Sequence, residues 1–155
     1  LLSSLKAKKV VFVSSSPQIR YPDCYGIDMS KMNQFVAFRG LIRLIKLDNA
    51  EKKIKEIYKM CEKSMNEKTP KNHVKELYSL FSYEDVSKSI TELVRPKNFN
   101  SDLEIIYQKI DDLNKACPNN LGDWYFTGNY PTFGGNKVAN RAFMNYCDGI
   151  KSRAY

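Results

Sequence analysis

Residues able to do chemistry are few in this chain, and they lie far apart. His73 is the single histidine. It stands in an Asn-His-Val context with no serine or cysteine nucleophile beside it, so a surface position is expected and no nucleophilic triad can be assembled around it. Glu84-Asp85 and Asp111-Asp112 are adjacent carboxylates. Neighbours in sequence do not face each other on a helix, so both pairs read as helix-start or helix-surface charges rather than a general acid-base couple. The four cysteines, Cys24, Cys61, Cys117 and Cys147, contain no Cys-x-x-Cys spacing. A zinc site needs close ligand pairs, so no metal is expected here, and reduced thiols are. Ser14-Ser15-Ser16 offers three hydroxyls that a phosphate could use, or simply a turn. Neither Gly-x-x-x-x-Gly-Lys nor Gly-x-Gly-x-x-Gly is present to cradle phosphates. Gly134-Gly135-Asn136 can open a helix with a free anion-binding end or with an asparagine cap.

Two ten-residue strings stand out from this background. They are Arg20-Tyr21-Pro22-Asp23-Cys24-Tyr25-Gly26-Ile27-Asp28-Met29 and Asp123-Trp124-Tyr125-Phe126-Thr127-Gly128-Asn129-Tyr130-Pro131-Thr132. Each packs aromatics, a glycine and a proline into a stretch that neither helix nor strand propensity calls for. Asp28 can cap the next helix, or it can meet a ligand at the end of the preceding strand.

The elements that must position these residues follow from periodicity. Val10-Val11-Phe12-Val13 is apolar at every position, as in a parallel strand covered on both faces. A strand over about 9–15 is predicted, preceded by the tail of a helix in Leu1 to Lys6. Such a strand needs a neighbour for its N–H and C=O groups. Elsewhere there are only weak strand candidates, chiefly Trp124 to Thr127, so the strand is expected to pair with a second copy of the chain or to stand as an exposed edge. Ligands in open α/β sheets sit beyond the carboxyl ends of the strands, which makes Ser14, Ser15, Ser16 and Tyr25 a candidate ligand-end loop.

About six helices are expected after the strand. The first is capped by Ser30, with Met32, Phe35, Val36, Leu41, Ile42 and Ile45 inward. The second opens at Asp48 or Asn49, with Ile54, Ile57, Tyr58, Cys61 and Met65 on one face. The third starts at Thr69-Pro70 and buries Val74, Leu77, Tyr78 and Phe81. The fourth is capped by Ser82 and faces inward with Val86, Ile90, Leu93 and Val94. A capping box at Ser101-Asp102-Leu103-Glu104 opens a fifth, with Leu103, Ile106, Tyr107, Ile110 and Leu113 in helical register. Asn136 caps the last, with Val138, Ala142, Phe143 and Tyr146 inward. The fold class is therefore an α/β fragment, predominantly α-helical.

Charge and hydropathy narrow the partners. With 43% hydrophobic residues the chain is globular, and no apolar run approaches the ~20 residues of a membrane span. The start does not read as a signal peptide, and a cytoplasmic location is expected. Net charge is +8. Residues 1–65 hold 13 Lys/Arg against 6 Asp/Glu. A basic helical module binding nucleic acid or a protein partner is thus one reading. Against it, Lys52, Lys53, Lys55, Lys59 and Lys63 alternate with Glu51, Glu56 and Glu62. That is the pattern of a salt-bridged solvated face with no aromatic platform for bases.

Residues 8–29, from Lys8-Lys9-Val10 through the serine turn to Met29, resemble a segment of the glutamine phosphoribosylpyrophosphate amidotransferases. Phe126-Thr127-Gly128-Asn129-Tyr130-Pro131-Thr132 resembles the C-terminal tail of part of that family. The resemblance covers roughly a third of the chain. It implies residues 1–40 as the C-terminal part of a type I phosphoribosyltransferase-like α/β domain. Residues 41–118 would be a helical insertion, and 119–155 a C-terminal loop and helix packing back on the domain. In the family, glutamine is hydrolysed in one domain and ammonia passes through an internal channel. The ammonia then attacks C1 of phosphoribosyl pyrophosphate, whose leaving pyrophosphate carries Mg²⁺; purine nucleotides inhibit. The resemblance places Asp28 and Phe35 at or near the channel and domain contact. The family's Asp-Asp-Ser-Ile-x-Arg-Gly-Thr-Thr loop is expected about one helix upstream of Leu1, with a catalytic-cysteine glutaminase domain before it. These would be the chain's partners, together with self-association through the strand. No catalytic residue is expected within the chain. Cys24 is one position from an iron–sulfur ligand of some members, and Asn119 and Gly122 occupy two others, so no cluster is expected.

Overall fold

A computed structural model describes residues 7–24, 29–119 and 122–154. Tyr25 and Asp28 of the candidate site, and the helix tail expected in Leu1 to Lys6, lie outside the described residues. Strand β1 spans Lys9–Ser14. A 3₁₀ turn, Met32–Gln34, leads into α1, Val36–Leu47. Then come α2 (Glu51–Ser64), α3 (Val74–Tyr78) and α4 (Tyr83–Val94). Strand β2 (Asp102–Tyr107) precedes α5 (Ile110–Ala116), α6 (Trp124–Thr127) and α7 (Phe133–Cys147). The fold class is as expected, α/β and mostly helical, with seven helices and two strands among the described residues.

The strand's neighbour comes from within the chain. β1 and β2 pair in parallel, from Lys9 opposite Asp102 to Ser14 opposite Tyr107. This corrects the expectation that 101–113 is one helix opened by a capping box. Residues 102–107 are extended, and the helix begins only at Ile110. Ser101 is not a cap; its hydroxyl donates to the Ala7 carbonyl, and Asp102 N donates to Lys8 O at 3.1 Å, so both extend the ladder. A Lys9–Glu104 ion pair at 2.6 Å crosses the strands on one face. Trp124 to Thr127 is a helical turn rather than a strand, because Gly128 at φ 71° closes it in the left-handed region.

The sheet is not covered on both faces by the described residues. α4 packs over β2, where Ile105 and Tyr107 meet Val86 and Ile90. On β1, Val11, Phe12 and Val13 are 44, 47 and 74% exposed.

The main core lies between the helices. Phe38, Leu41 and Ile45 of α1, Ile57 and Cys61 of α2, Val74 and Leu77 of α3, and Phe143 of α7 are all buried. Tyr21, Met32 and Phe35 join the same cluster, so residues from the N-terminal, central and C-terminal segments share one core. Several helix starts differ from expectation. Ser30 caps nothing; α1 follows Phe35 with no side-chain cap. α2 follows Ala50 rather than Asp48 or Asn49. α3 is confined to five residues instead of starting at Pro70. Val94 is exposed, not inward. Ser82 does cap α4, accepting from Asp85 N at 3.0 Å.

Gly40 sets the approach of α1 to α4. A Cβ there would meet Ile90 Cγ1 at 2.9 Å and Ile90 N at 3.3 Å. Helix propensity alone predicts that Gly40→Ala stabilises by about 1 kcal/mol. Overpacking against a backbone nitrogen costs about 1–3 kcal/mol and outweighs it, so the variant should unfold at lower urea concentration than the parent.

Candidate functional site

The two aromatic strings fold onto each other. Arg20 N and Tyr21 N both donate to Tyr125 O, at 2.8 and 3.1 Å. Tyr125 Oη donates to Asp23 Oδ1 at 3.1 Å, and Tyr130 Oη to Pro22 O at 2.6 Å. Asp23 N donates to Met29 O at 3.1 Å and closes the first string on itself. Gly128 lies directly against the Tyr21 ring. A Cβ at Gly128 would stand 2.8 Å from Tyr21 Cζ and 2.7 Å from Asn72 Nδ2. Asn72, itself buried, donates to Gly128 O at 3.1 Å and accepts from Val74 N at 3.2 Å.

Arg20 ties this pair of loops to the helices. Its guanidinium lies 4.7 Å from the centre of the Tyr78 ring and 4.9 Å from that of Tyr83. It donates twice to Gln18 Oε1, at 3.0 and 2.8 Å. Gln18 is fully buried, and its amide nitrogen donates to Tyr83 O and Ser87 Oγ. Tyr78 Oη donates to Arg20 O at 3.2 Å. Sequence reasoning missed Gln18 and Arg20, and the one signal was the position of Arg20 at the head of an unusual string.

A cleft of ≈ 440 Å³ opens at the carboxyl ends of both strands. Its walls include Ser14, Ser16, Gln34, Phe35, Val36 and Tyr107. The structure therefore brings together three of the sequence-predicted site residues, Ser14, Ser16 and Phe35. Ser15 is exposed and does not line the cleft. The serines are partly occupied by their own turn: Ser14 Oγ donates to Ser16 O at 2.9 Å and accepts from Ser16 N at 3.3 Å. Phe35 is 6% exposed and joins the core as well as the cleft wall.

The other candidates have structural partners. His73 is half-buried rather than on the surface; its backbone N donates to Asn140 Oδ1 and its ring meets Glu76 Oε1 at 2.8 Å. Asn140 is completely buried. It also accepts from Cys61 Sγ at 3.4 Å and donates to Lys71 O at 2.8 Å, fixing α7 against α2. Thr132, not Asn136, caps α7, accepting from Gly135 N at 3.3 Å. Asn136 donates instead to Pro70 O at 2.9 Å. Glu84-Asp85 and Asp111-Asp112 lie in the first turns of α4 and α5. The α2 lysines are solvent-exposed. Among the described residues, no group of three or more His, Cys, Asp or Glu side chains could hold a metal ion.

Similarity to known proteins is confined to part of the chain. Over 49 residues, 31% of its length, the chain is 45% identical to an amidophosphoribosyltransferase of Pasteurella multocida (strain Pm70). Over 52 residues, 33% of its length, it is 40% identical to an amidophosphoribosyltransferase of Haemophilus influenzae (strain ATCC 51907 / DSM 11121 / KW20 / Rd). In each case the match spans 10% of the relative, so the chain spans about a tenth of the length of the curated relatives it matches. A third of the chain is thus related to these enzymes. No family model and no solved structure matches it.

Burial pushes Tyr21, Tyr78 and Tyr130 well above the ordinary tyrosine value of 10.0. It pushes the Cys61 thiol up to about 12 from 9.0. Each group is thus harder to deprotonate folded than unfolded. Its contribution is whole below the unfolded value and is lost as pH rises toward the folded one. Thermal midpoints should be level to about pH 9 and fall steeply above it, with the share of the ionised-tyrosine near-ultraviolet signal that belongs to Tyr21, Tyr78 and Tyr130 appearing only on unfolding. Gly128→Ala should destabilise by about 2–4 kcal/mol, combining left-handed strain with the clash on Tyr21. Urea titration of the variant would measure the loss.

Proposed function

We propose that the chain is the C-terminal part of an amidophosphoribosyltransferase and carries none of the reacting groups of that enzyme. The observation that carries this reading is the 40–45% identity over about 50 residues to two such enzymes. The parent reaction joins ammonia from glutamine to C1 of phosphoribosyl pyrophosphate. Phosphoribosylamine forms and pyrophosphate leaves, as the first step of purine synthesis in the cytoplasm.

Within that reading, residues 1–40 complete the phosphoribosyltransferase domain, 41–118 are a helical insertion, and 119–155 pack back on the domain. The free edge of β1 receives the preceding strand of the parent, and in the isolated chain a second copy takes the same edge. The cleft beyond β1, with Ser14 and Ser16 in its wall, faces the ligand side, and Ser15 and Tyr25 belong to the same ligand-end loop of the sequence. Asp28 and Phe35 belong to the ammonia path or the domain contact. An aromatic wall such as Phe35 suits neutral ammonia, because an apolar lining does not solvate ammonium. A magnesium ion of the parent would take its ligands from the rest of that protein, and no iron–sulfur cluster is assigned to this segment.

The test compares two polypeptides. The 155-residue chain should form no phosphoribosylamine from phosphoribosyl pyrophosphate with either glutamine or ammonia. The complete polypeptide, read through the coding sequence upstream of Leu1, should form it with both. Phe35→Ala in the complete enzyme should slow the glutamine-dependent rate several-fold more than the ammonia-dependent one. A complete polypeptide inactive with both nitrogen donors would overturn the reading.

A further inference from the structure

A groove of ≈ 320 Å³ runs between α4 and β2. Every residue from Leu103 to Tyr107 lines it and no residue of β1 does, so it follows the edge of β2 that faces away from β1. The ladder tells which main-chain groups point there. Asp102 N donates to Lys8 O, so the main-chain groups of Asp102 face β1. Successive residues of a paired strand alternate in this, and the N–H and C=O groups of Leu103, Ile105 and Tyr107 therefore turn toward the groove. None of these groups has a partner among the described residues. The usual blocks on such an edge are missing too, since β2 has no proline and its register is unbroken.

α4 closes the two ends of this open stretch. Arg95 Nη1 donates to Ser101 O at 3.0 Å, and Tyr83 Oη to Gln108 O at 3.0 Å. The helix thus runs antiparallel to β2 and walls the groove along its length. The outer wall carries charges of alternating sign: Glu84, Lys88 and Glu92 all line the groove and all are exposed. Each is four residues from the next, about 6 Å along the helix axis. Glu92 meets Arg95 only at 3.7 Å, and Lys88 acts at longer range on Asp85. Side chains on one face of an extended chain repeat about every 6.6 Å. A strand laid against β2 would bring three successive same-face side chains to a carboxylate, an ammonium group and a carboxylate.

We propose that this edge takes up an extended peptide as a third strand, and that the peptide carries basic, acidic and basic residues at alternate positions. The main chain of Leu103, Ile105 and Tyr107 supplies the hydrogen bonds, and the α4 stripe supplies the selection. Residues between the charged ones fall on the opposite face, beside Ile106, which is 46% exposed, so apolar side chains fit there. The charge pattern reads the same in both directions, so it fits a parallel or an antiparallel strand. The proposal uses the β2 edge, whereas the function proposed above uses the β1 edge, so either can fail without the other.

A labelled peptide Thr-Lys-Val-Glu-Val-Lys-Thr, titrated with the 155-residue chain and followed by fluorescence anisotropy and amide NMR, tests this. Saturable binding is expected, with the largest shifts at Leu103, Ile105 and Tyr107. The charge-reversed peptide Thr-Glu-Val-Lys-Val-Glu-Thr should bind about tenfold or more weakly. Glu84→Lys, Lys88→Glu and Glu92→Lys combined should invert that preference, and an unchanged melting temperature would show that the fold is kept. N-methylation of every second peptide residue should abolish binding in one phase and spare it in the other. Equal affinity for both peptides, no saturable binding, or shifts centred on Val11 and Val13 at the other edge would each overturn the proposal. So would shifts at Leu103 to Tyr107 that follow the chain's own concentration rather than the peptide's, because a second copy would then hold the edge.

Discussion

Contact between the Tyr21 ring and the backbone of Gly128 governs how this molecule is assembled. Two irregular strings from opposite ends of the chain must lie together, and irregular backbone carries polar groups that need partners. The pairing supplies them: Tyr125 O takes two N–H groups, and tyrosine hydroxyls reach Asp23 and Pro22. Only a residue without a Cβ admits the Tyr21 ring at this distance. Once the strings are joined, Asn72 is drawn in from the turn before α3, and Arg20 is held between Tyr78 and Tyr83. The loop that leaves β1 is thereby fixed against three helices, and the cleft at the strand end takes its shape from that.

The sheet is built on a different balance. Two parallel strands make a marginal unit alone, and α4 covers only the β2 side of one face. Val11, Val13 and Ile106 remain open on the other. Covering each would contribute about 1 kcal/mol or somewhat more. That gain belongs to a layer packed over this face; a strand at the β1 edge, as proposed above, would be held instead by backbone N–H and C=O groups. The helical core, by contrast, is closed around Phe38, Leu41 and Phe143 and does not need the sheet to be complete.

Much of the helical part is legible in the sequence because its periodicity is strong. The inward faces of α1 to α3 and the Ser82 cap follow from spacing and cap chemistry. The failure at 101–113 is instructive. Leu103, Ile106, Tyr107, Ile110 and Leu113 fit a helical stripe, and Ser101 fits a cap. Local pattern cannot weigh a pairing with residues far away in the chain, and the ladder with β1 overrides it. A signal was present, since Ile105-Ile106-Tyr107 is a β-forming run and the first strand lacked a partner. The mutual packing of the two strings was not readable, because it depends on a glycine fitting a ring rather than on any periodicity. The cleft uniting Ser14, Ser16 and Phe35 was half-readable: the rule about strand ends located it, whereas its Tyr107 wall required β2.

The tyrosines show what kind of work this chain does. Tyr78, Tyr83 and Tyr130 each direct the hydroxyl to a main-chain carbonyl, of Arg20, Gln108 and Pro22 respectively. Burial raises all three above the ordinary value. A general acid or base works best with a value near the operating pH, and these move away from it. A neutral phenol that cannot readily ionise is instead a durable donor to a loop carbonyl, with an aromatic body that fills the core at the same point. The same logic holds for Cys61, whose thiol donates to Asn140 and is kept protonated by burial. These buried phenols and the Cys61 thiol are thus spent on holding loops and helices together.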